Sequence, residues 1–299
     1  MRPSLRLGKF AGINVGLHWS IALIAVFLTF SLAGTILPAT APGLVVVSYW
    51  AAAILTTALF LASIVAHELG HSLVAQRNDI GVDGITLFAL GGVAVLEDEP
   101  KTPGAAARIA LAGPAVSLAL GVGAFLAAAG SASLGLSPLA TGALQWLGII
   151  NVILAVFNML PALPLDGGRV LQAALWSRKG NRHRATIGAA TVGRFMGWAM
   201  VAVGLWQFTN GGAGLWTAFI GMFIISNAKA EQARAKILLR QEQGRGWPFA
   251  DLFGPNPDAF GPPRAAERVD LRTDPTVVDD VIDVDSWEAD RGHRTTDVV

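Results

Sequence analysis

Long apolar segments separated by short breaks run through the chain from Val15 to Asn227. A transmembrane helix needs about 20 apolar residues to cross a hydrocarbon core of about 30 Å, and most of these segments reach that length. Six segments stand out: Val15–Leu37, Leu44–Ala75, Ile109–Gly130, Thr141–Pro164, Ile187–Phe208 and Ala213–Asn227. The pattern predicts an all-α polytopic membrane protein with six transmembrane helices, the last of which is short unless it extends to Lys229.

Charged residues are unevenly distributed among the connections. The breaks at residues 38–43, 131–138 and 209–212 carry no charge, whereas the other connections carry the arginines and lysines. Cytoplasmic loops of membrane proteins are enriched in Lys and Arg, so this alternation predicts six spans with both termini in the cytoplasm. The expected location is the cell (plasma) membrane, which the chain crosses several times.

One connection has a pattern of its own. Residues 85–97, between the second and third segments, hold two β-prone runs on either side of Gly91-Gly92. Such runs around a two-residue glycine turn predict a short β-hairpin, which is too short to cross the membrane and is therefore expected at its interface. An edge of this hairpin is able to pair with an extended peptide. A loop that only packs over a cavity is an equally good interpretation.

The chain changes character after Arg240. Twelve of the 21 acidic residues lie from Asp251 onward, and six prolines lie between Pro248 and Pro275. A segment this polar and rich in proline cannot bury enough apolar surface to offset the entropy of ordering. We therefore divide the chain into a six-span core, residues 1–240, and a disordered acidic, Pro-rich cytoplasmic tail, residues 241–299.

Composition supports a membrane protein and excludes several kinds of site. Hydrophobic residues make up 53% of the 299 residues and charged residues only 14%, against about a quarter charged in ordinary domains. The chain has no cysteine, which excludes disulfides, thiolate metal ligands and a cysteine nucleophile. The net charge of +1 averages an apolar body with a polar tail, and we expect no nucleic-acid partner.

The strongest chemical signal is the sequence His-Glu-Leu-Gly-His at residues 67–71, inside a segment with no other charge from Leu44 to Ala75. Two histidines four residues apart leave the same face of a helix, so both imidazoles can bind one metal ion. Glu68 lies beside the first histidine, where a carboxylate can act as general base towards water at the metal. Ionisable groups within a membrane span are costly to bury, so they are functional by default.

A third metal ligand is needed, because catalytic zinc sites normally have three protein ligands and a water. The remaining histidines are poor candidates: His18 is better explained by a structural hydrogen bond, His183 lies in a basic loop and His293 lies in the tail. Asp166 is the better candidate, since it is the only acidic residue between Glu99 and Glu231. The two prolines and the Gly-Gly pair that flank it are expected to break the helix and turn the carboxylate inward.

These motifs resemble those of the site-2 protease family of intramembrane zinc metalloproteases. Three stretches carry the resemblance: residues 67–71 in one span, residues 158–168 in a later one, and residues 112–117, Ala-Gly-Pro-Ala-Val-Ser, in the span between. Residues 12–15 together with His18 resemble the start of the six-span microbial branch. The resemblance covers about residues 8–235.

The resemblance implies zinc-dependent intramembrane proteolysis of a membrane-anchored protein substrate within the lipid bilayer. Carried over by position, it implies His67, His71 and Asp166 as ligands of one zinc ion and Glu68 as general base. Asn158 matches an asparagine that contacts the substrate backbone or the developing oxyanion. Members of this branch often carry appended pairs of regulatory nucleotide-binding modules, and the tail is too short for one such pair.

Two other functions fit part of the pattern. A zinc transporter or channel would also place histidines and an aspartate within the membrane, but it gives no role to a carboxylate beside the first histidine. An inactive scaffold of the same fold would explain the helices, although no part of the site is missing from the sequence. Substrate cleavage and zinc binding, measured together, distinguish the three functions.

Overall fold

The computed structural model describes residues 4–88, 91–135, 137–212 and 214–242, without the side chains of residues 93–96. The predicted tail falls almost wholly outside these residues, so that prediction stays one. The strands are β1 (Leu5–Phe10), β2 (Ile13–Leu17), β3 (Val82–Phe88) and β4 (Gly91–Leu96). The helices are α1 (Ile21–Ser31), α2 (Leu37–Thr40), α3 (Val46–Gln76), α4 (Pro103–Ser133), α5 (Pro138–Asn158), α6 (Asp166–Lys179), α7 (Arg182–Thr209) and α8 (Gly214–Glu242). A π-helix, Leu32–Ile36, joins α1 to α2.

Five helical segments in the described part of the chain are long and apolar enough to cross a membrane. They are Ile21–Thr40, Val46–Gln76, Pro103–Ser133, Pro138–Asn158 and Arg182–Thr209. The sixth predicted segment falls in α8, which continues into charged residues and is not among the five. A multi-pass membrane protein is therefore confirmed, whereas the count of six spans stays a prediction.

The sheet corrects the all-α prediction. Its four strands lie in the order β1-β2-β3-β4, with β2 parallel to β3 and the other pairs antiparallel. Val15, the predicted start of the first span, lies in β2, and the helix begins only at Ile21. Ile13 and Val15 are buried two residues apart, which is the period of a strand with one face in a core.

The predicted hairpin is present as strands β3 and β4. Phe88 pairs with Gly91, and Leu87 pairs with Gly92. The prediction that Gly91-Gly92 forms the turn is therefore wrong, because both glycines belong to β4. Residue 92 passes so close to a side chain of α3 that a Cβ there would overlap it. The place of the hairpin at the membrane interface stays a prediction.

Apolar side chains of β2 and β3 hold the sheet against helix α3. Ile13, Val15, Ile85 and Leu87 are buried, and partly buried residues of α3 between Leu61 and Leu69 pack against them. Burial of such side chains removes apolar surface from water and is the main favourable term in their packing. The sheet is thereby fixed beside the part of α3 that carries the histidine motif.

A short irregular segment connects helix α5, which ends at Asn158, to helix α6, which begins at Asp166. The fourth predicted span thus ends earlier than predicted, and α6 is an element that the apolar pattern does not reveal. Gly167 and Gly168, predicted to break the helix, lie in its first turn instead. A Cβ on Gly167 would lie 2.2 Å from the Met159 carbonyl oxygen, so these glycines let α6 pack directly on the preceding segment.

Two glycines of helix α4 provide a matched test of how it packs on α5. A Cβ on Gly121 would lie 2.8 Å from Val152 Cγ2 and 3.1 Å from the Gly148 carbonyl oxygen, whereas nothing lies within 4 Å of one on Gly123. We predict that Gly121→Leu lowers the thermal unfolding temperature in detergent, because overpacking costs about 1–3 kcal/mol. Gly123→Leu should unfold near the wild-type temperature. Equal unfolding temperatures for the two variants would contradict this packing.

Candidate metal centre

Helix α3 carries both predicted histidine ligands on one face. His67 and His71 lie about one helical turn apart, and their Nε2 atoms are 3.2 Å from each other. His67 is 4% exposed, and the side chain of His71 is 14% exposed. The two imidazoles therefore converge at a nearly enclosed point between helices.

The other nitrogen of each imidazole has a hydrogen-bond partner in helix α4. His67 Nδ1 lies 2.8 Å from the Ser117 hydroxyl, and His71 Nδ1 lies 2.7 Å from the Ile109 carbonyl oxygen. A carbonyl oxygen only accepts, so His71 donates from Nδ1 and keeps a lone pair on Nε2. Pro114, inside α4, lacks the N–H that would bond the carbonyl four residues back, which loosens the helix at this level.

Asp166 reaches the same point from a distant part of the chain. Its Oδ2 atom lies 3.3 Å from Nε2 of His67 and 3.3 Å from Nε2 of His71. Asp166 is the first residue of α6, where the helix dipole favours a negative charge. The segment before it is anchored by Leu163, which is buried against alanines of α7 and α8. The three residues predicted as ligands are thus brought together.

The three ligand atoms fit a tetrahedral metal ion. Ligands about 2.0 Å from zinc at tetrahedral angles lie about 3.3 Å from one another, and the observed separations are 3.2 and 3.3 Å. Asp166 Oδ2 is buried and makes no hydrogen bond within the described residues, although two imidazole nitrogens face it. A buried carboxylate oxygen in this situation needs a cation nearby. Two imidazoles and one carboxylate are a donor set that zinc accepts.

Helix α4 lies directly against the two imidazoles because residue 113 is a glycine. A Cβ on Gly113 would lie 2.2 Å from His71 Nε2 and 2.6 Å from His67 Nε2. On the opposite helix, a Cβ on Gly70 would lie 3.1 Å from the Ala112 carbonyl oxygen. The two glycines therefore let the helices approach closely at this level, and residue 113 adds no side chain beside the Nε2 atoms.

Glu68 lies beside this trio of atoms without belonging to it. It is half-buried, and the backbone of strand β4 passes next to it. A Cβ on Gly92 would lie 2.4 Å from Glu68 Cγ and 2.7 Å from its Oε1 atom. The role of Glu68 as general base stays a prediction, and its position next to His67 in α3 and against strand β4 is compatible with that role.

Asn158, the predicted substrate contact, is the last residue of helix α5 and is half-buried. Its side-chain amide donates to the Leu154 carbonyl oxygen at 3.0 Å. In this conformation one N–H of the amide serves its own helix and not a ligand. The substrate role of Asn158 therefore stays a prediction, and it requires the amide to use its second N–H or to change rotamer.

The histidines set aside as ligands have other partners. His18 Nδ1 lies 2.9 Å from Ser20 Oγ, and His183 Nε2 lies 3.1 Å from a carboxylate oxygen of Glu242. His293 lies outside the described residues. Within those residues, His67, His71 and Asp166 form the group that could hold a metal ion.

Sequence reasoning did not identify Ser117, Gly113 and Gly92 as parts of the site. Residues 112–117 carry a family resemblance, but the sequence does not assign a partner to the serine or a neighbour to the glycine. Their spacing of four residues is the available signal, because it places both on one face of α4. No such signal exists for Gly92, whose place depends on strand pairing.

The chain is similar to proteins named as zinc metalloproteases. The family model described as "Peptidase family M50" matches residues 55–142 and 137–200. A Mycobacterium tuberculosis protein named "Putative zinc metalloprotease Rip3" is 44% identical over 241 residues, which cover 78% of this chain and 60% of that relative. A Synechocystis protein named "Putative zinc metalloprotease sll0528" is 37% identical over 265 residues, which cover 86% of this chain and 66% of that relative.

A solved structure is also similar to the chain. The site-2 protease from Methanocaldococcus jannaschii is 29% identical, with a TM-score of 0.49, and the match covers 76% of this chain and 94% of that chain. The chain spans 60% of the length of the Mycobacterium relative, so it corresponds to part of that protein.

Replacing Gly113 by alanine tests the space beside the imidazoles. The added methyl group would overlap both Nε2 atoms, so we predict that Gly113→Ala loses the bound metal ion. Gly123→Ala, at an open position of the same helix, should keep it. Elemental analysis of the purified proteins measures the metal content. A wild-type metal content in Gly113→Ala would contradict the arrangement of α4 against the histidines.

Proposed function

We propose that this chain, which belongs to peptidase family M50, the site-2 protease family, is an intramembrane zinc metalloprotease. The proposed reaction is hydrolysis of a peptide bond in or near the transmembrane segment of a membrane-anchored protein. The convergence of Asp166 with His67 and His71, which lie with Glu68 on a helix apolar enough to span a membrane, is the observation that supports this most. A purely structural helix has no need of so many ionisable groups, which are costly at such a place.

One zinc ion per chain is the proposed cofactor, with His67, His71 and Asp166 as its ligands. When bound, zinc polarises a carbonyl group and makes water more acidic. Three protein ligands favour a catalytic over a structural site, since structural zinc sites usually have four. Other residues of the chain would bind the substrate and transfer protons.

Glu68 is the proposed general base. It would take a proton from the attacking water as the new C–O bond forms, and pass that proton to the nitrogen as the C–N bond breaks. It directly follows the ligand His67 in α3, and the backbone of Gly92 restricts the space that its side chain can occupy. Both features support a carboxylate held near the reacting atoms.

Asn158 is proposed to bind the substrate backbone or the developing oxyanion. An amide N–H that points at the oxygen of a tetrahedral intermediate stabilises negative charge as it develops. The amide would do so with its second N–H, or after a change of rotamer that breaks its present bond to the Leu154 carbonyl oxygen. Substrate binding is the event that we expect to redirect it.

A helical substrate has to unwind, because the hydrogen bonds of a helix hide its peptide groups from the site. Strand β4 is one of the two edge strands of the sheet and passes Glu68 at Gly92. Unpaired main-chain groups on an edge strand can accept a further strand. We propose that an extended substrate segment pairs there, with its scissile bond presented to Glu68.

The proposed topology has six spans, and the apolar first half of α8 is the sixth. The proposed location is the plasma membrane, with both termini in the cytoplasm. Uncharged connections before α3, between α4 and α5 and between α7 and α8 support it. The arginines and lysines after α3, around the junction of α6 and α7, and in the second half of α8 support it as well, since such residues favour the cytoplasmic side.

Zinc content and proteolysis should separate when Glu68 is changed. We predict that Glu68→Gln keeps about one zinc ion per chain but loses turnover by orders of magnitude, because glutamine lacks the basic oxygen. His71→Ala should lose both zinc and turnover, and Asp166→Asn should bind zinc more weakly, since a neutral amide is a poorer ligand. Elemental analysis and cleavage of a panel of single-span membrane proteins in nanodiscs measure the two quantities.

The same variants distinguish the alternative functions. A zinc transporter would move zinc into proteoliposomes in the wild type and in Glu68→Gln alike, and a scaffold would cleave no member of the panel in any form. Near wild-type cleavage by Glu68→Gln would show that the proposed mechanism is wrong. Loss of zinc from Glu68→Gln would make Glu68 a ligand or a support for one.

Reporter fusions test the topology. Because uncharged connections are expected outside and basic ones inside, external activity is predicted for fusions after Gly43, Ser133 and Gly211, and cytoplasmic activity for fusions after Arg77, Lys179 and Arg240. An external signal from the fusion after Lys179 would overturn the scheme, because the connection around that residue carries the densest positive charge.

A further inference from the structure

The two histidines of the site differ in what holds their second nitrogen. His71 Nδ1 bonds a main-chain carbonyl, that of Ile109, which is present whatever side chain occupies the position. His67 Nδ1 bonds the hydroxyl of Ser117, which depends on one side chain. The orientation of His67 therefore rests on a single replaceable group.

We propose that Ser117 is a positioning residue, which holds His67 in the tautomer and orientation that present Nε2 to the metal ion. The proposal rests on the zinc site described under the proposed function and adds a residue that supports it. Ser117 does not reach the ligand atoms itself. It acts on them through the imidazole, in the way that outer partners fix ligating histidines in other metal sites.

Burial makes this hydrogen bond hard to replace. Ser117 is 0% exposed and His67 is 4% exposed, so bulk water has little access to the Nδ1 atom if the hydroxyl is lost. A neutral imidazole carries its proton on one nitrogen only. A hydroxyl acceptor stabilises the tautomer with the proton on Nδ1. Without that acceptor the tautomer with the proton on Nε2 is favoured, and this proton competes with the metal ion for the same nitrogen.

The hydroxyl is able to act as the acceptor that this arrangement needs. A serine hydroxyl carries two lone pairs besides its own proton, so its oxygen can accept the Nδ1 proton of His67. Gly113 and Ser117 thus act from the same face of α4, the glycine by leaving space beside the Nε2 atoms and the serine by fixing one of the rings.

The competing explanation is that residue 117 need only be small, so that α4 can approach α3. Alanine separates the two explanations, because Ser117→Ala keeps a small side chain and removes only the oxygen. Ser131 offers a matched control: it is also a buried serine of α4, with its hydroxyl 3.0 Å from that of Thr141 and not beside a metal ligand. Ser117→Thr restores a hydroxyl at the position.

The experiment measures how fast zinc leaves the purified full-length holoprotein in detergent when an excess of a chromophoric chelator is added. We expect release from Ser117→Ala to be faster than from the wild type by about 10–100-fold, the usual effect of removing an outer partner of a ligand. Ser131→Ala should release zinc at the wild-type rate, and Ser117→Thr should return most of the way towards it. After replacement by Co²⁺, the visible absorption bands should shift in Ser117→Ala only.

Three results would overturn the inference about Ser117. Wild-type release and an unchanged Co²⁺ spectrum in Ser117→Ala would show that residue 117 only needs to be small. Equal acceleration in Ser131→Ala and Ser117→Ala would attribute the effect to loss of any buried hydroxyl and overturn the proposal too. A wild-type protein without zinc would refute the proposed function, and the inference with it, whereas a zinc-loaded protein indifferent to Ser117→Ala refutes the inference alone.

Discussion

The close approach of helices α3 and α4 is the constraint on which the rest of the site depends. Gly70 on one helix and Gly113 on the other allow the two backbones to meet, and the two imidazoles project into the narrow space that results. A buried polar group without a partner costs about 1–3 kcal/mol. Both histidines avoid that cost because α4 is near enough to offer a hydroxyl and a carbonyl oxygen. A wider helix spacing would leave the Nδ1 atoms of both histidines without hydrogen-bond partners, and the orientation of the two rings would no longer be fixed.

The remaining parts of the site are attached to this helix pair by different kinds of packing. Asp166 is delivered by a segment whose backbone is pressed against Gly167 and Gly168 and anchored on α7 and α8. Strand β4 is delivered by the sheet, whose apolar side chains pack on α3. Both attachments are built mainly from apolar side chains and glycines.

Local patterns predict part of this arrangement and leave out the rest for a physical reason. The proposed metal ligands of α3 follow from helical periodicity, and Asp166 follows from the scarcity of acidic residues in an apolar chain. Gly92 and β2 could not be predicted in the same way, because their neighbours are set by strand pairing between distant residues. The Gly-Gly pairs at 91–92 and 167–168 show the ambiguity most directly. Glycine permits turns and helix breaks, but it also permits close approach, and only the folded neighbours decide between these uses.

The parallel pairing of β2 with β3 imposes an order on the chain as it leaves the ribosome. Strand β2 is synthesised before α1 and α3, and its parallel partner β3 is synthesised after them. Strand β2 therefore cannot pair with β3 until both helices have been made. The helix with the two histidines is thus complete before the sheet can close over Glu68. Asp166 emerges later still, after α4 and α5. A nascent chain interrupted at any earlier point lacks the third of the proposed metal ligands, so the proposed metal site can form only after helices α1 to α5 have been made.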